Sequence, residues 1–393
     1  MNKLFDLFKI ASAIVTNQFP KLTNNKRRKL KILFLVRRYH TNMIPMVESL
    51  QKAGHQVAVI VRKREVIEDY DVLRPIEIQH PFNLEKCFSE LPFLQPDLVL
   101  IRDTTVHMLE IASHAKNKGS KLIHYDQKPL RRLRGWRHFL SDLKRLRTKQ
   151  IKGIPLEQIT PVDHWDSISK RLPIKLMTRH FTFPYEAKTI GKYDNADSST
   201  NKGIQVVMVG KMAQPRKRHF WLIRALKSAN TSSCSLIICG AGNDIKTSDD
   251  GTRSQHYYDE LIAAAKASEN SADNCLIRLR QNLGIHEVKA VYENSDIFVL
   301  PSTNEEFGIS VLEAMGGGCA VIATNTVGAS HHIMHGRDGL IFKENDYPEF
   351  ERQVHQLLED ATLRRSLQKE AKKTIQNNHN YTQFARFVEN LLE

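Results

Sequence analysis

Short apolar runs, each followed by a stretch of helical periodicity, recur in two series along this chain, and that alternation limits its fold more than any other feature. In the first series Ile32–Val36 is apolar throughout, Met43–Ala53 reads as a helix capped by Gly54, and Gln56–Val61 is the next strand. A strand at Asp97–Ile101, a helix over Val106–Lys118 and a strand at Lys121–His124 continue the series. A strand apolar at every position is buried on both faces, the state of a parallel strand covered by helices. The alternation restarts with a strand at Ile204–Val209, a helix over Arg218–Ser228 and a strand at Ser235–Cys239 leading into Gly240-Ala241-Gly242. A helix over Gln255–Ala267, a strand at Cys275–Leu279, a helix at His286–Glu293 and a strand at Ile297–Leu300 follow. A helix over Ile309–Gly316 and a strand at Ala320–Ala323 precede the terminal helices. The expected class is α/β, with two Rossmann-like, doubly wound parallel-sheet domains in series and ligand sites at the C-terminal ends of the strands.

A length of 393 residues suits two such domains. The polar stretch Lys192–Lys202 reads as the linker, which gives a first domain over 31–195 and a second over 196–375. Residues 1–30 stand apart. Leu4, Leu7, Phe8, Ala11, Ile14 and Val15 recur at helical spacing, Pro20 ends the pattern, and Lys21, Lys26, Arg27, Arg28 and Lys29 follow. Such a segment fits either an interfacial membrane anchor or a helix packed on the first domain. No apolar stretch approaches the roughly 20 residues needed to span a bilayer. The five scattered cysteines form no metal-like cluster and fit a reducing cytoplasm, so the expected location is the cytoplasm.

Charge is distributed unevenly. Of the formal +15, residues 1–200 carry 36 Lys and Arg against 20 Asp and Glu, and the remainder is nearly balanced. The asymmetry points to an anionic partner for the first half, or to a basic surface that serves solubility alone. Arg131, Arg132, Arg134, Arg137, Lys144, Arg145, Arg147 and Lys149 surround Trp136, Phe139 and Leu140. A basic helix bearing aromatic residues fits docking on anionic lipid; a solvated basic face is the plain alternative. No nucleic-acid-binding motif accompanies it, so nucleic acid is not an expected partner.

The segment richest in chemistry is Pro301–Met315. Glu305 lies in the loop after a buried strand, and Glu313 lies eight residues later, one turn inside the next helix. Gly308 between them permits close backbone approach, and the helix start offers amides to phosphate. Carboxylates repel phosphate but accept hydrogen bonds well from sugar hydroxyls, so two of them can flank a diphosphate. This segment resembles the signature of the retaining glycosyltransferases with the two-domain GT-B fold, family 4, in which a glutamate, seven residues and a second glutamate stand in an E-x-F-G-x-x-x-x-E-A-M context. Glu305, Phe307, Gly308, Glu313, Ala314 and Met315 match it.

The resemblance implies roles. Glu313 holds ribose hydroxyls, Glu305 contacts the donor sugar, and amides around Phe307–Ser310, including Ile309, meet the sugar or diphosphate. Val209–Arg218 is similar to the family's loop of two cations on the diphosphate, with Lys211 and Lys217 in those places beside Gly210 and Arg216. Fixed cations there would stabilise the leaving group. Arg216 and Arg218 also read as exposed surface. Gly240-Ala241-Gly242 is a glycine turn of a kind common at strand ends and is taken as donor-binding at Gly240, and Leu283-Gly284 resembles the turn beside which the family seats its nucleotide base. His124-Tyr125-Asp126 resembles its H-D region near the donor sugar, and Phe181–Pro184 its strand entering the linker. Two segments depart from the pattern: Arg37–Asn42 replaces a glycine-rich loop, and Val327–His332 replaces a glycine pair and glutamate.

Taken together, the resemblance implies two GT-B domains facing across a cleft, with a C-terminal helix over 376–393 completing the first. It implies retaining transfer of a hexose-type sugar from a UDP- or GDP-linked donor to a saccharide or lipid-linked acceptor. Neither a cofactor nor a metal is expected. Arg37, Arg38, Arg132, Trp136 and Arg137 are the expected acceptor or membrane contacts, placing the protein peripherally on the inner face of the cytoplasmic membrane in surface polysaccharide assembly. The alternative is a non-catalytic protein of the same fold that binds membrane or glycan. An epimerase or a phosphorylase would keep the fold too, but no lysine stands in a context suited to pyridoxal phosphate.

Overall fold

The structure is a computed structural model. It describes residues 28–39, 43–63, 72–126, 136–161, 178–185, 203–229, 234–241, 251–269, 275–303, 305 and 307–393, without the side chains of 136–143 and 251–253. The expected N-terminal helix and most of its basic run, His40–Asn42, Arg132 and the linker Lys192–Lys202 lie outside the described residues.

The chain divides into two compact units, residues 1–184 with 381–393 and residues 185–380. In the first, β1 (Lys31–Val36), α1 (Ile44–Lys52), β2 (Gln56–Val61), β3 (Ile76–Glu77) and α2 (Leu84–Ser89) follow one another. β4 (Leu98–Ile101), α3 (Val106–Asn117), β5 (Lys121–Tyr125), α4 (Trp136–Ile151), β6 (Gln158–Thr160) and β7 (Thr178–His180) complete the sheet, whose order is β3-β2-β1-β4-β5-β6-β7. Every pairing is parallel. β1 pairs Ile32 with both Val57 and Leu98, so it is central, and five of its six residues are buried. That explains the unbroken apolar run.

The second unit contains β8 (Ile204–Val209), a 3₁₀ turn (Pro215–Lys217), α5 (His219–Lys227), β9 (Cys234–Gly240), α6 (Gly251–Glu269), β10 (Cys275–Gln281) and α7 (Ile285–Glu293). β11 (Ile297–Leu300), α8 (Ser310–Gly317), β12 (Ala320–Thr324), β13 (Leu340–Phe342), α9 (Tyr347–Glu359) and α10 (Ala361–Asn378) follow. Its sheet is also parallel, in the order β10-β9-β8-β11-β12-β13. Both sheets reverse their strand order beside the first strand of the unit, between β1 and β4 and between β8 and β11, which is the doubly wound topology. Asp346 and Asp360 cap α9 and α10 by accepting from Glu349 N and Leu363 N.

The last helix, α11 (Tyr381–Glu389), packs on α1 in the first unit. Ser49 Oγ donates to the Tyr381 carbonyl at 2.7 Å, the Tyr381 hydroxyl donates to Glu48, and Lys52 lies over the Tyr381 ring. One sequence expectation shifts: the strand near Phe181–Pro184 is Thr178–His180, and Phe181 only extends its ladder through a 3.1 Å bond to Thr160 O. All five cysteines are buried thiols. Among the described residues no helix is long and apolar enough to cross a membrane.

Candidate functional site

The loops after β8 and β11 leave from the same end of neighbouring parallel strands, at the point where the strand order reverses. Open α/β sheets bind ligands there. The loop after β8 brings Gly210, Lys211 and the 3₁₀ turn with Arg216 and Lys217. The loop after β11 brings Glu305. Thr303 N–H donates to the Arg216 carbonyl at 2.9 Å and ties the two together.

Lys217 Nζ lies 2.5 Å from Glu305 Oε2, and Arg216 Nη1 lies 2.7 Å from the same oxygen. Burial pushes the Glu305 carboxyl upward, but Lys217 and then Arg216 outweigh it and hold the group below its ordinary range. Lys217 is only 6% exposed. Burial drives its ammonium below the ordinary lysine value; Glu305 opposes that, and Arg216 and Lys211 add to it. Among the described residues one carboxylate, Glu305, thus stands with three cations, Lys211 being half-buried and acting on Lys217. The excess positive charge suits an incoming dianion. Arg216 is therefore ion-paired rather than a bare surface group. Arg218 stacks its guanidinium 4.1 Å over the Trp221 ring, away from this cluster's carboxylate.

Glycines make this approach possible. A Cβ on Gly240 would sit 1.9 Å from the Gly210 carbonyl oxygen, and one on Gly210 would meet the Lys217 stem at 3.1 Å. Asn282 N–H donates to Gly240 O at 3.2 Å, which draws the half-buried Leu283-Gly284 turn alongside. Gly284 opens α7, its N–H bound to Glu287 at 2.8 Å. Gly308 has φ +74°, and a Cβ there would press on Val327 at 2.7 Å and on Glu305 at 3.1 Å. The loop is held from behind: Gly328 N donates to Glu305 O and Ala329 N to Phe307 O. The departing segment Val327–His332 is thus the backbone support of Glu305 and Phe307. Its Gly328–His332 part is a 3₁₀ helix. Ile309 and Ser310 begin α8.

Glu313 lies one turn into α8 and accepts from the Tyr292 hydroxyl at 3.1 Å. By exposed area it is half-buried, yet the protein packed about its carboxyl raises the pKa to about 7, with the Tyr292 bond opposing the rise. Burial and then Glu313 raise the Tyr185 phenol above its ordinary value. Both tyrosines fit against α8 because Gly316 and Gly317 carry no side chain: a Cβ on Gly316 would lie 2.3 Å from the Tyr185 ring, and one on Gly317 2.7 Å from Tyr292 Cβ. Neither tyrosine carries a sequence signal; the run Gly316-Gly317-Gly318 is the only trace of them.

Of the expected first-unit residues, Arg37, Arg38, His124 and Asp126 are described with their side chains. Arg37 is exposed and Arg38 half-buried after β1, while Trp136 and Arg137 start α4 with side chains outside the described set. His124 and Asp126 close β5 and are buried. Burial, then Lys149 and Arg145, push the His124 imidazole down to about 3, so it is neutral. Asp126 binds Arg145. Not every cation of α4 faces outward: Lys149 is 5% exposed, and Arg145 turns inward one helical turn before it.

Fold and residues together define a two-unit α/β protein with a candidate, cation-rich ligand site at the switch point of its second sheet. Residues 192–374 match the family model described as glycosyl transferases group 1. The chain is 29% identical over 124 residues to the capsular polysaccharide biosynthesis glycosyltransferase CapM of Staphylococcus aureus, across 30% of this chain and 33% of that protein. It is 38% identical over 85 residues to the N,N'-diacetylbacillosaminyl-diphospho-undecaprenol alpha-1,3-N-acetylgalactosaminyltransferase of Campylobacter jejuni, across 22% and 23%. The aligned segments thus span a third or less of these relatives. The crystal structure of Anabaena Alr3699/HepE in complex with UDP-glucose matches with a TM-score of 0.64 at 16% identity, over 92% of this chain and 99% of that one. That likeness shows the GT-B fold.

Proposed function

We propose that this protein is a retaining glycosyltransferase that moves a hexose-type sugar from a UDP- or GDP-linked donor to a saccharide or lipid-linked acceptor. The observation that carries the reading is the meeting of Lys217 and Arg216 with Glu305 at the switch point, with Glu313 one helical turn beyond. The donor diphosphate lies against Lys211, Lys217 and Arg216, and the ribose hydroxyls donate to Glu313. Glu305, released from part of its pairing, accepts from hydroxyls of the sugar.

The bond between the anomeric carbon and the β-phosphate oxygen breaks, and a bond to the acceptor oxygen forms on the same face. The acceptor's proton passes to the departing phosphate oxygen. Negative charge grows on that phosphate as the bond lengthens, so cations fixed beforehand lower the barrier. The cluster is cationic where a divalent-ion site is rich in carboxylates, which supports metal-independent transfer. The CapM similarity supports a place in surface polysaccharide assembly, and the Campylobacter similarity supports a lipid-linked acceptor. The excess charge of residues 1–200 supports a peripheral position on the inner face of the cytoplasmic membrane, with Arg37 and Arg38 toward acceptor or lipid.

The test is donor hydrolysis in the absence of acceptor, followed by proton NMR over a panel of UDP- and GDP-hexoses. Release of the same anomer as the donor, lost in Lys217→Met, is expected. First release of the opposite anomer would overturn retention.

A further inference from the structure

The donor reading leaves unused a cavity of about 470 Å³ in the first unit, at the C-terminal end of β5 and beneath α4. Its wall carries Lys144, Arg145 and Lys149 from α4, Thr148 between them, His124 from β5, and Thr104 after β4. No carboxylate stands among the described residues that line it.

Lys149 is the unusual member. Its Nζ is held 2.9 Å from His124 Nδ1 and 2.5 Å from Gln158 Oε1, both neutral partners. Gln158 in turn donates to Thr178 Oγ1 at 2.7 Å, so the ammonium is fixed in place by a chain of uncharged groups. Asp126 is bound by Arg145 and lies 3.9 Å from His124. A buried ammonium without a carboxylate partner costs stability. Burial, with Arg145 adding to it, brings the Lys149 pKa down to about 7. Arg145 lines the same cavity and binds Asp126. Lys144 is exposed at the rim. Lys144, Arg145 and Lys149 line this one small cavity with no carboxylate among its described lining residues, an arrangement that suits an anion arriving from outside.

We infer that this cavity is an anion site for a phosphoryl group, held by Lys149 and Arg145 inside and Lys144 at the mouth. A phosphate or diphosphate offers at least three acceptor oxygens, which matches converging donors from three basic side chains. The volume falls within the range of small-ligand sites. That the phosphoryl group belongs to the acceptor rests on the donor reading of the second unit; the site itself does not. Placed there, it makes the acceptor a phosphorylated sugar or a phosphate-linked lipid.

The probe is inorganic pyrophosphate, titrated by calorimetry into the full chain and into Lys149→Met, Lys144→Gln and Lys217→Met. Pyrophosphate also suits the donor site, so the comparison is made in the Lys217→Met background: binding that persists there and falls at least about tenfold when Lys149→Met or Lys144→Gln is added is expected. Lys149→Met should also raise the melting temperature of the free protein, because it removes an uncompensated buried charge. A lysine whose role is only to bridge His124 and Gln158 would give the opposite shift. Loss of binding in Lys217→Met with none in Lys149→Met and Lys144→Gln would overturn the proposal, as would no binding by the unaltered chain. UDP titrated into the same proteins reports on the second unit separately: its loss in Lys217→Met but not in Lys149→Met keeps the two sites apart. Sedimentation with phosphatidylcholine vesicles, with and without phosphatidic acid, separates the sources. Capture that needs phosphatidic acid and fails in Lys149→Met assigns a lipid phosphate; pyrophosphate binding alone assigns a soluble one.

Discussion

Replacing Glu313 with glutamine takes away a charge that the fold holds out of water. The carboxyl titrates near 7 in the folded protein against an ordinary 4.5, with burial as the cause. The folded protein therefore holds that proton more tightly than the unfolded chain does. The stabilisation is complete below pH 4.5 and is lost as pH rises through 7. A shift of this size, at about 1.4 kcal/mol per pKa unit, amounts to about 3 kcal/mol, and the half-exposed position reduces it to about 2 kcal/mol. Glutamine is neutral throughout and its carbonyl can still accept from Tyr292. Glu313→Gln should thus exceed the parent in stability at pH 8 by about 2 kcal/mol, or about 4–8 °C in the melting temperature of a unit of this size, and the gap should narrow toward pH 5. Scanning calorimetry at pH 5, 6, 7 and 8 measures it. A constant difference across that range would refute the desolvation argument.

Other outcomes follow from the same geometry. Below pH 7 the protonated Glu313 accepts ribose hydroxyls poorly, so calorimetric affinity for the nucleotide should weaken by up to about tenfold per pH unit from 7 to 6. Lys217→Met should lower the rate of donor cleavage by about 10²–10³-fold in a nucleotide-release assay, since it removes a cation fixed against the developing charge. Gly240→Ala drives a methyl against the Gly210 carbonyl, so chemical denaturation should register a loss of about 3 kcal/mol together with loss of nucleotide binding. Gly308→Ala should destabilise by about 1–3 kcal/mol by the same measurement, because φ +74° and the Val327 contact act together.

The alternating apolar runs made the sheets readable, and strands such as Gln56–Val61, Ile204–Val209 and Ile297–Leu300 fall where the pattern placed them. What escaped was short or polar. β13 has three residues and α2 six, too few for a period to emerge. β10 runs on through Arg280 and Gln281 because it is an edge strand with one side open to water. Within the candidate site, spacing singled out Glu305 and Glu313, but nothing local told that Arg216 and Lys217 close on Glu305 across 89 and 88 positions. Tyr185 and Tyr292 were invisible for the same reason, since only tertiary packing brings them to Glu313. On α4 the composition showed a basic helix, yet composition cannot say which lysine turns inward. Lys149 does, with Arg145 four residues before it.

The most direct measurement is a calorimetric titration of the full chain with UDP and with GDP, repeated on Lys217→Met and Glu313→Ala. A nucleotide site at the switch point of the second sheet predicts binding of one of the two nucleotides, weakened at least about tenfold by each substitution. Binding that survives both substitutions, or no binding of either nucleotide by the unaltered protein, would contradict it.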